Sequence, residues 1–311
     1  MQNSEENAGN ADATGTSIDL RKIKKTLPFR VLTAEQFDHW QSYGYLIVPG
    51  VLPMENVEAL KSFLWDFQEM DENDSQTWQK PQLLQYELAA LNGSGMVEAY
   101  HHQSLWDNRQ RQNIYDIFVD IWGHEALWVT IDRANLNPPN LDKSKFDGFL
   151  HWDIDTVRRP LIHNVQAIVT LVDTTPEMGG FQCVPELFHQ FDEWAKTQPE
   201  DRDPFHPDRR EFELIHPQLK AGDMLVFNSL MAHGIKVNNS DQVRMAQYIS
   251  MFPAQEDNQK LRDERLRLFE EKVAPSGKAF SGDPRNWEKE RYPSAKLNEL
   301  GEKLLGSRRW N

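Results

Sequence analysis

The sequence has almost no cysteine: Cys183 is the single thiol in 311 residues, which excludes a disulfide framework and any cysteine-rich zinc site. It also has no apolar run approaching the ~18 residues that a bilayer-spanning helix requires. Cations are in deficit, 34 Lys and Arg against 48 Asp and Glu, for a net charge of −14. No nucleic-acid or membrane-surface partner is therefore expected, because phosphate contacts need a basic face. The deficit still leaves room for a small anionic ligand held by a few placed arginines. The opening segment, MQNSEENAGNADATGTS, lacks the charged and apolar regions of a secretory signal. Residues 1–20 thus read as a disordered tail, and the cytoplasm is the expected location. The hydrophobic fraction of 39% is ordinary and excludes disorder for the bulk of the chain. Oligomeric state has no signature here.

The pattern that is present changes texture partway along. Phe37, Trp40 and Tyr43 recur at helical spacing before Gly44 breaks the series, and YLIVPG then reads as a strand. Pro53 opens a second helix whose stripe is Val57, Leu60, Phe63 and Leu64. A third helical region is predicted from Tyr86 to Trp122, interrupted near Gly93 and Gly95 and ended by Gly123. Beyond it come seven short apolar or alternating runs: LWVTIDRANLN, FLHWDIDT, HNVQAIVTLVDTT, GGFQCVPE, FELIHPQL, GDMLVFNSLMAHGIKV and VRMAQYISMF. Pro, Gly, Asn and Asp separate them, and most have no helix between them, which argues for an antiparallel sandwich or jelly roll. The polar interval 188–210 reads as a long loop, and Leu261, Leu266 and Phe269 mark a later charged helix. The expected class is α+β with a mainly β core: one domain over 21–311, helical over 32–123, strand-rich over 124–253 and helical again over 254–311.

Two H-x-D triplets occur, His151-Trp152-Asp153 and His206-Pro207-Asp208. Alone, such a triplet is a weak motif. The first ends an apolar, strand-like run, where residues two apart share a face and can grip one ion together. The second lies in the charged stretch PFHPDRR, with proline between the candidates, and reads as a solvated loop. His233 follows another strand-like run and offers a third ligand, while Arg244 lies eleven positions further on. Two histidines and a carboxylate form the facial triad of non-heme Fe(II) oxygenases, which leaves coordination positions open. An arginine nearby suits an organic acid, because its planar fork pairs bidentately with a carboxylate.

The order H-x-D, then GGFQCVPELFHQ, then a distal His with Arg eleven later resembles the phytanoyl-CoA dioxygenase family. The opening LTAEQFDHWQSYGYLIVPGVLPMENVEAL is similar to that family's N-terminal segment, so the resemblance spans roughly Leu32 to Phe252. One departure is PELFHQ, where the family usually has Pro-Gly-Ser-His. The resemblance implies a double-stranded β-helix (jelly roll, cupin-like) with flanking helices. It implies Fe(II) as cofactor, held by His151, Asp153 and His233, with 2-oxoglutarate and O2 as co-substrates and Arg244 clamping the distal 2-oxoglutarate carboxylate. Succinate and CO2 are the implied by-products. Asp153 stands where related halogenases lack a carboxylate, so hydroxylation, dealkylation or desaturation is implied over halogenation. The stretch HWDIDTVRRPLIHN, with LWDNRQ upstream and LGEKLLGSRRW at the end, resembles small-molecule tailoring members such as the palythine-forming group of mycosporine-like amino acid pathways. The implied substrate is a small, polar, carboxylate-bearing metabolite.

Other polar positions keep two readings each. Gln166, with Ile168 and Thr170 on its strand face, contacts 2-oxoglutarate or substrate, or is a satisfied polar group in the sheet. Asn135 and Asn137 reach the near carboxylate of 2-oxoglutarate, or form the turn before Pro138 and Pro139. Arg158, Arg159 and His163 hold an anionic substrate, or are surface charges. Cys183 reads as core, Trp152 as packing away from the metal, His101-His102 as a packing or surface pair, and Trp40, Trp65 and Trp122 as helical core. Two other classes stay open: a cupin-type metalloenzyme that does not use 2-oxoglutarate, and a non-catalytic binding protein on the same fold.

Overall fold

The computed structural model describes residues 14–78, 95–140, 148–209, 212–277 and 279–310. Its strands, in chain order, are β1 Tyr45–Val48, β2 Met96–Val97, β3 Leu127–Val129, β4 Ala134–Asn137, β5 Phe149–His151 and β6 Val165–Thr170. They continue as β7 Gly180–Cys183, β8 Met224–Asn228, β9 His233–Lys236, β10 Arg244–Tyr248 and β11 Met251–Pro253. A six-stranded sheet runs β1-β8-β6-β10-β4-β2, a three-stranded sheet runs β5-β9-β7, and β11 pairs with β3 in a short ribbon. Every pairing is antiparallel. This is a double-stranded β-helix with helices flanking it.

Alternation sorts the large sheet into two faces. Val165, Ala167 and Val169 of β6, Met224 and Val226 of β8, and Met245 of β10 join the large apolar cluster that the helices build. Leu225 and Phe227 belong to a second cluster with Trp152 and Cys183, against which Ile168 and Phe181 pack, so this inner face looks toward the small sheet. Cross-strand partners share a face. Ile168 opposes Tyr248, Thr170 opposes Ala246, and Ala246 and Arg244 oppose Asn135 and Asn137. The register therefore lines the inner face with Gln166, Ile168 and Thr170, with Arg244, Ala246 and Tyr248, and with Asn135 and Asn137.

The helices follow the apolar periodicity where it is strong. Ala34–Tyr43 is closed by a Thr33–Gln36 capping box and by Gly44 in the left-handed region, at φ 77°. A Cβ at Gly44 would stand 2.7 Å from the Phe188 ring, so the turn needs glycine for space as well. Met54–Phe67 buries the predicted stripe, and Gln112–Trp122 ends on Gly123. Trp40, Trp65 and Trp122 are buried as expected. Among the described residues no helix is long and apolar enough to cross a membrane.

Four expectations are corrected. In the third helical region the interruption expected near Gly93 and Gly95 extends as far as His102. Residues 79–94 lie outside the described residues; after them Met96–Val97 is an edge strand, and Gln103–Arg109 is the next described helix. The described part of the predicted tail is docked: Thr16 exchanges backbone hydrogen bonds with His163 in both directions, and Leu20 is buried. The interval 188–210 carries helical turns, Pro185–His189 and Phe191–Lys196, which bury Leu187, Phe188, Phe191 and Trp194. Their apolar spacing is helical but is diluted by charges in the sequence. FELIHPQL supplies a single bridge, Ile215 to Cys183, rather than a strand.

Candidate active site

The two sheets bring together the residues of the first H-x-D triplet and the distal histidine. His151 ends β5 and His233 opens β9, and the two are direct partners in the ladder. Their rings lie 4.6 Å apart between centroids. Asp153, two residues beyond His151, returns to the same side. His151 Nε2 is 2.9 Å from Asp153 Oδ1, and His233 Nε2 is 3.4 Å from Asp153 Oδ2. Ligand atoms of all three lie within 4.8 Å of one another, which makes them a group able to hold a metal ion.

The donor chemistry fits an ion at this place. His233 Nδ1 is 2.9 Å from the Met231 carbonyl, which can only accept, so Nδ1 carries a proton and Nε2 is the ring atom left to ligate an ion beside Asp153 and His151. Phe181 and Phe227 flank the His233 ring, with centroids at 5.8 and 4.6 Å, and restrict its rotation. Burial opposes ionisation of Asp153. The adjoining His233 and His151, acting through charge and hydrogen bonds, outweigh that and hold its carboxyl well below the usual carboxylate range. An ionised carboxylate with two imidazoles is the ligand set of a facial triad.

A third contact was not legible beforehand. Gln166, on β6 of the large sheet, donates from Nε2 to Asp153 Oδ2 at 2.6 Å. Gln166 marks the metal end of the inner face, and Arg244 lies toward the other end. Arg244 is 5% exposed. Its Nη1 donates to the carbonyls of Met178 and Lys236, each at 3.3 Å. No carboxylate pairs with it among the described residues, and burial lowers its pKa from the ordinary value. Gly180 makes space for it: a Cβ there would stand 3.2 Å from Arg244 Cδ, and the residue has a φ of 102°. The Gly-Gly pair before Phe181 was the available sequence signal.

The remaining candidates fall in different places. Asn135 and Asn137 are on β4, and their side-chain nitrogens crowd Gly95, where a Cβ would stand 3.0 and 2.9 Å from them. Arg158 and Arg159 are exposed, and Arg159 Nη1 donates to the carbonyls of Thr156, Val157 and Arg158. His163 is buried, with Nδ1 3.3 Å from Asn228 Oδ1 and Nε2 3.7 Å from Asp19. That role, fastening residues 14–20, differs from the predicted capture of substrate. His206 is exposed and pairs with Asp203, away from any ligand group. Trp152 donates to the Leu230 carbonyl and packs on Phe191 and Trp194, and Cys183 is fully buried. His101 is buried beside the Val273 carbonyl, and His102 stacks on Phe63, so this pair is packing.

A jelly roll carrying two histidines and an aspartate near one end of its inner face and, toward the other, a buried arginine with no carboxylate partner among the described residues has the architecture of a non-heme Fe(II), 2-oxoglutarate-dependent oxygenase. The chain belongs to the phytanoyl-CoA dioxygenase (PhyH) family, whose profile matches residues 40–246. Iron(II) and 2-oxoglutarate are that family's cofactor and co-substrate. The chain is 24% identical over 259 residues to Ava biosynthesis cluster protein O of Aspergillus versicolor, covering 75% of this chain and 82% of that protein. It is 24% identical over 261 residues to a putative phytanoyl-CoA dioxygenase of Dictyostelium discoideum, covering 70% and 74% respectively. The crystal structure of the hypothetical protein JW0805 of Escherichia coli has the same fold, with a TM-score of 0.63 at 18% identity over 88% of this chain and 82% of that one.

Proposed function

We propose that this oxygenase hydroxylates or oxidatively dealkylates a small, polar, carboxylate-bearing metabolite, releasing succinate and CO2. Mycosporine-like amino acids are one class that fits the branch resemblance. The observation that carries the reading is Arg244: a buried guanidinium without an anionic partner among the described residues, on the face that also presents Gln166 to the metal ligands. A buried charge persists where something pairs with it, and the distal carboxylate of 2-oxoglutarate is such a partner.

In this reading His151, Asp153 and His233 hold iron(II), which supplies the redox chemistry that couples decarboxylation of 2-oxoglutarate to substrate oxidation. Arg244 orients the co-substrate by its far carboxylate. Ile168 and Ala246, between the two ends, give its carbon chain an apolar wall that excludes water. Asn135 and Asn137, one strand further out on the same face, are placed to meet the near carboxylate of 2-oxoglutarate. Arg158 and Arg159, on the exposed turn after the ligands, meet an anionic substrate at the surface, Arg159 by exchanging its three carbonyls for a carboxylate. A cupin-type enzyme that does not use 2-oxoglutarate leaves Arg244 without a purpose.

Anaerobic addition of Fe(II) and then 2-oxoglutarate tests the reading. A weak visible charge-transfer band that requires both supports it. Succinate release, screened across small carboxylate-bearing metabolites with long-chain acyl-CoA as comparison, then identifies the substrate. Absence of the band at saturating 2-oxoglutarate overturns the oxygenase assignment. Productive turnover of long-chain acyl-CoA alone overturns only the substrate class.

A further inference from the structure

We propose that Gln166 is a positioning residue for the metal, acting through Asp153: its amide occupies one carboxylate oxygen and so restricts Asp153 to ligation through the other. The inference rests on the metal-site reading above and extends it to a residue on a different sheet. His151 and His233 belong to the small sheet, and Asp153 follows β5 of that sheet. Gln166 lies on β6, inside the large sheet, between β8 and β10. Its bond to Asp153 Oδ2, at 2.6 Å, is at the short end of the range and has a charged acceptor. Backbone pairing on both sides, Gln166 to Phe227 of β8 and the neighbouring Ile168 to Tyr248 of β10, fixes where the amide sits.

The chemical consequence concerns denticity. A facial triad functions because three protein ligands leave three positions open, and a carboxylate that binds through both oxygens takes one of those away. Oδ2 accepts from Gln166 and is the oxygen nearer His233, whereas Oδ1 is the one beside His151. An oxygen that already accepts a strong hydrogen bond is the poorer metal donor, so Gln166 biases the carboxylate toward binding through Oδ1. It also removes the rotational freedom that Asp153 would lose on binding a metal. Outer contacts of this kind commonly change metal affinity by about 10- to 100-fold. The two earlier readings of Gln166, a 2-oxoglutarate contact and a satisfied group in the sheet, both predict that binding of the metal alone is insensitive to it.

The test uses metal without co-substrate. Mn(II) is titrated into the full-length apoprotein, with free Mn(II) followed by its paramagnetic resonance signal, for the wild type, Gln166→Leu, Gln166→Glu and His151→Ala. Wild type binds one Mn(II). Gln166→Leu, which keeps the volume but not the donor, weakens binding about tenfold or more. At saturating Co(II) its visible d–d absorption differs in intensity or position from wild type, while far-UV circular dichroism and apo thermal stability are retained. Gln166→Glu replaces the donor with a like charge and also alters the Co(II) spectrum. If Gln166→Leu binds Mn(II) within about twofold of wild type and gives the same Co(II) spectrum, the inference is wrong; if it raises only the 2-oxoglutarate requirement, Gln166 is a co-substrate contact and the inference is again wrong. Wild type and His151→Ala binding Mn(II) equally would instead overturn the metal-site reading beneath it.

Discussion

Replacing Arg244 by alanine should separate ligand binding from stability. The guanidinium has five N–H donors, and the two on Nη1 are directed at the Met178 and Lys236 carbonyls at 3.3 Å, near the long limit of a hydrogen bond. Among the described residues Nε and Nη2 make no hydrogen bond, and that edge is the fork that matches a carboxylate. Truncating one side of a buried, hydrogen-bonded charge pair costs about 2–5 kcal/mol. Water entering the vacated space offsets part of this, so the 2-oxoglutarate requirement of Arg244→Ala should rise at least about tenfold, equivalent to ~1.4 kcal/mol. Arg244→Lys should fall between, because it keeps the charge and loses the fork. The folded protein has little to lose, since burial already disfavours this charge and no counter-ion among the described residues repays it. The Tm of Arg244→Ala should stay within about 4 °C of wild type, the displacement that one kcal/mol makes in a large domain. The assay is succinate formation against 2-oxoglutarate concentration, run beside a thermal melt. An unchanged titration would place the clamp elsewhere, and a collapse in Tm would mean that Arg244 is structural.

Gly180→Ala should lose 2-oxoglutarate affinity in the same assay, because it places a methyl 3.2 Å from Arg244 Cδ at a φ of 102°; an unaltered titration would show that Arg244 tolerates displacement. His151→Ala and His233→Ala should lose stoichiometric iron by elemental analysis, whereas His206→Ala should be near neutral; full activity and iron content in His151→Ala would sink the ligand assignment. Glu288 is buried under the Tyr100 and His101 amides, and burial raises its pKa from 4.5 to about 6 despite those hydrogen bonds. A raised folded-state value contributes stability below pH 4.5 that is lost as pH rises through about 6. Wild type should therefore lose about 2 kcal/mol relative to Glu288→Gln between pH 4 and 7; denaturant melts showing a constant difference across that range would refute it.

The triad was legible because strand alternation converts H-x-D directly into two groups on one face, and because His233 and Arg244 each sit at a strand start. The apolar stripes of the N-terminal helices were legible for the parallel reason that their period is 3.6. Contacts between distant segments were not. Nothing local in VQAIVT says that Gln166 meets Asp153, and nothing near Arg133 says that it pairs with the buried Glu98. The turns over 185–196 were obscured because charged residues interleave with Leu187, Phe188, Phe191 and Trp194. Residues 14–19 gave no hint of docking because they are held by Thr16 backbone pairing with His163 and by Asp19 beside the His163 ring, contacts between segments more than 140 residues apart.

The ladder that pairs His151 with His233 joins positions about eighty residues apart in the chain, and closing a loop of that length removes considerable freedom from the unfolded polypeptide. An ion shared by those two side chains is therefore a reversible crosslink as well as a reagent. Every residue from Trp152 to Ala232 lies within the loop that it fastens, including β6, β7 and β8. Chelation should accordingly loosen those strands toward amide exchange before any loss of helix is seen, so that starvation for iron would be registered first as a slackened barrel.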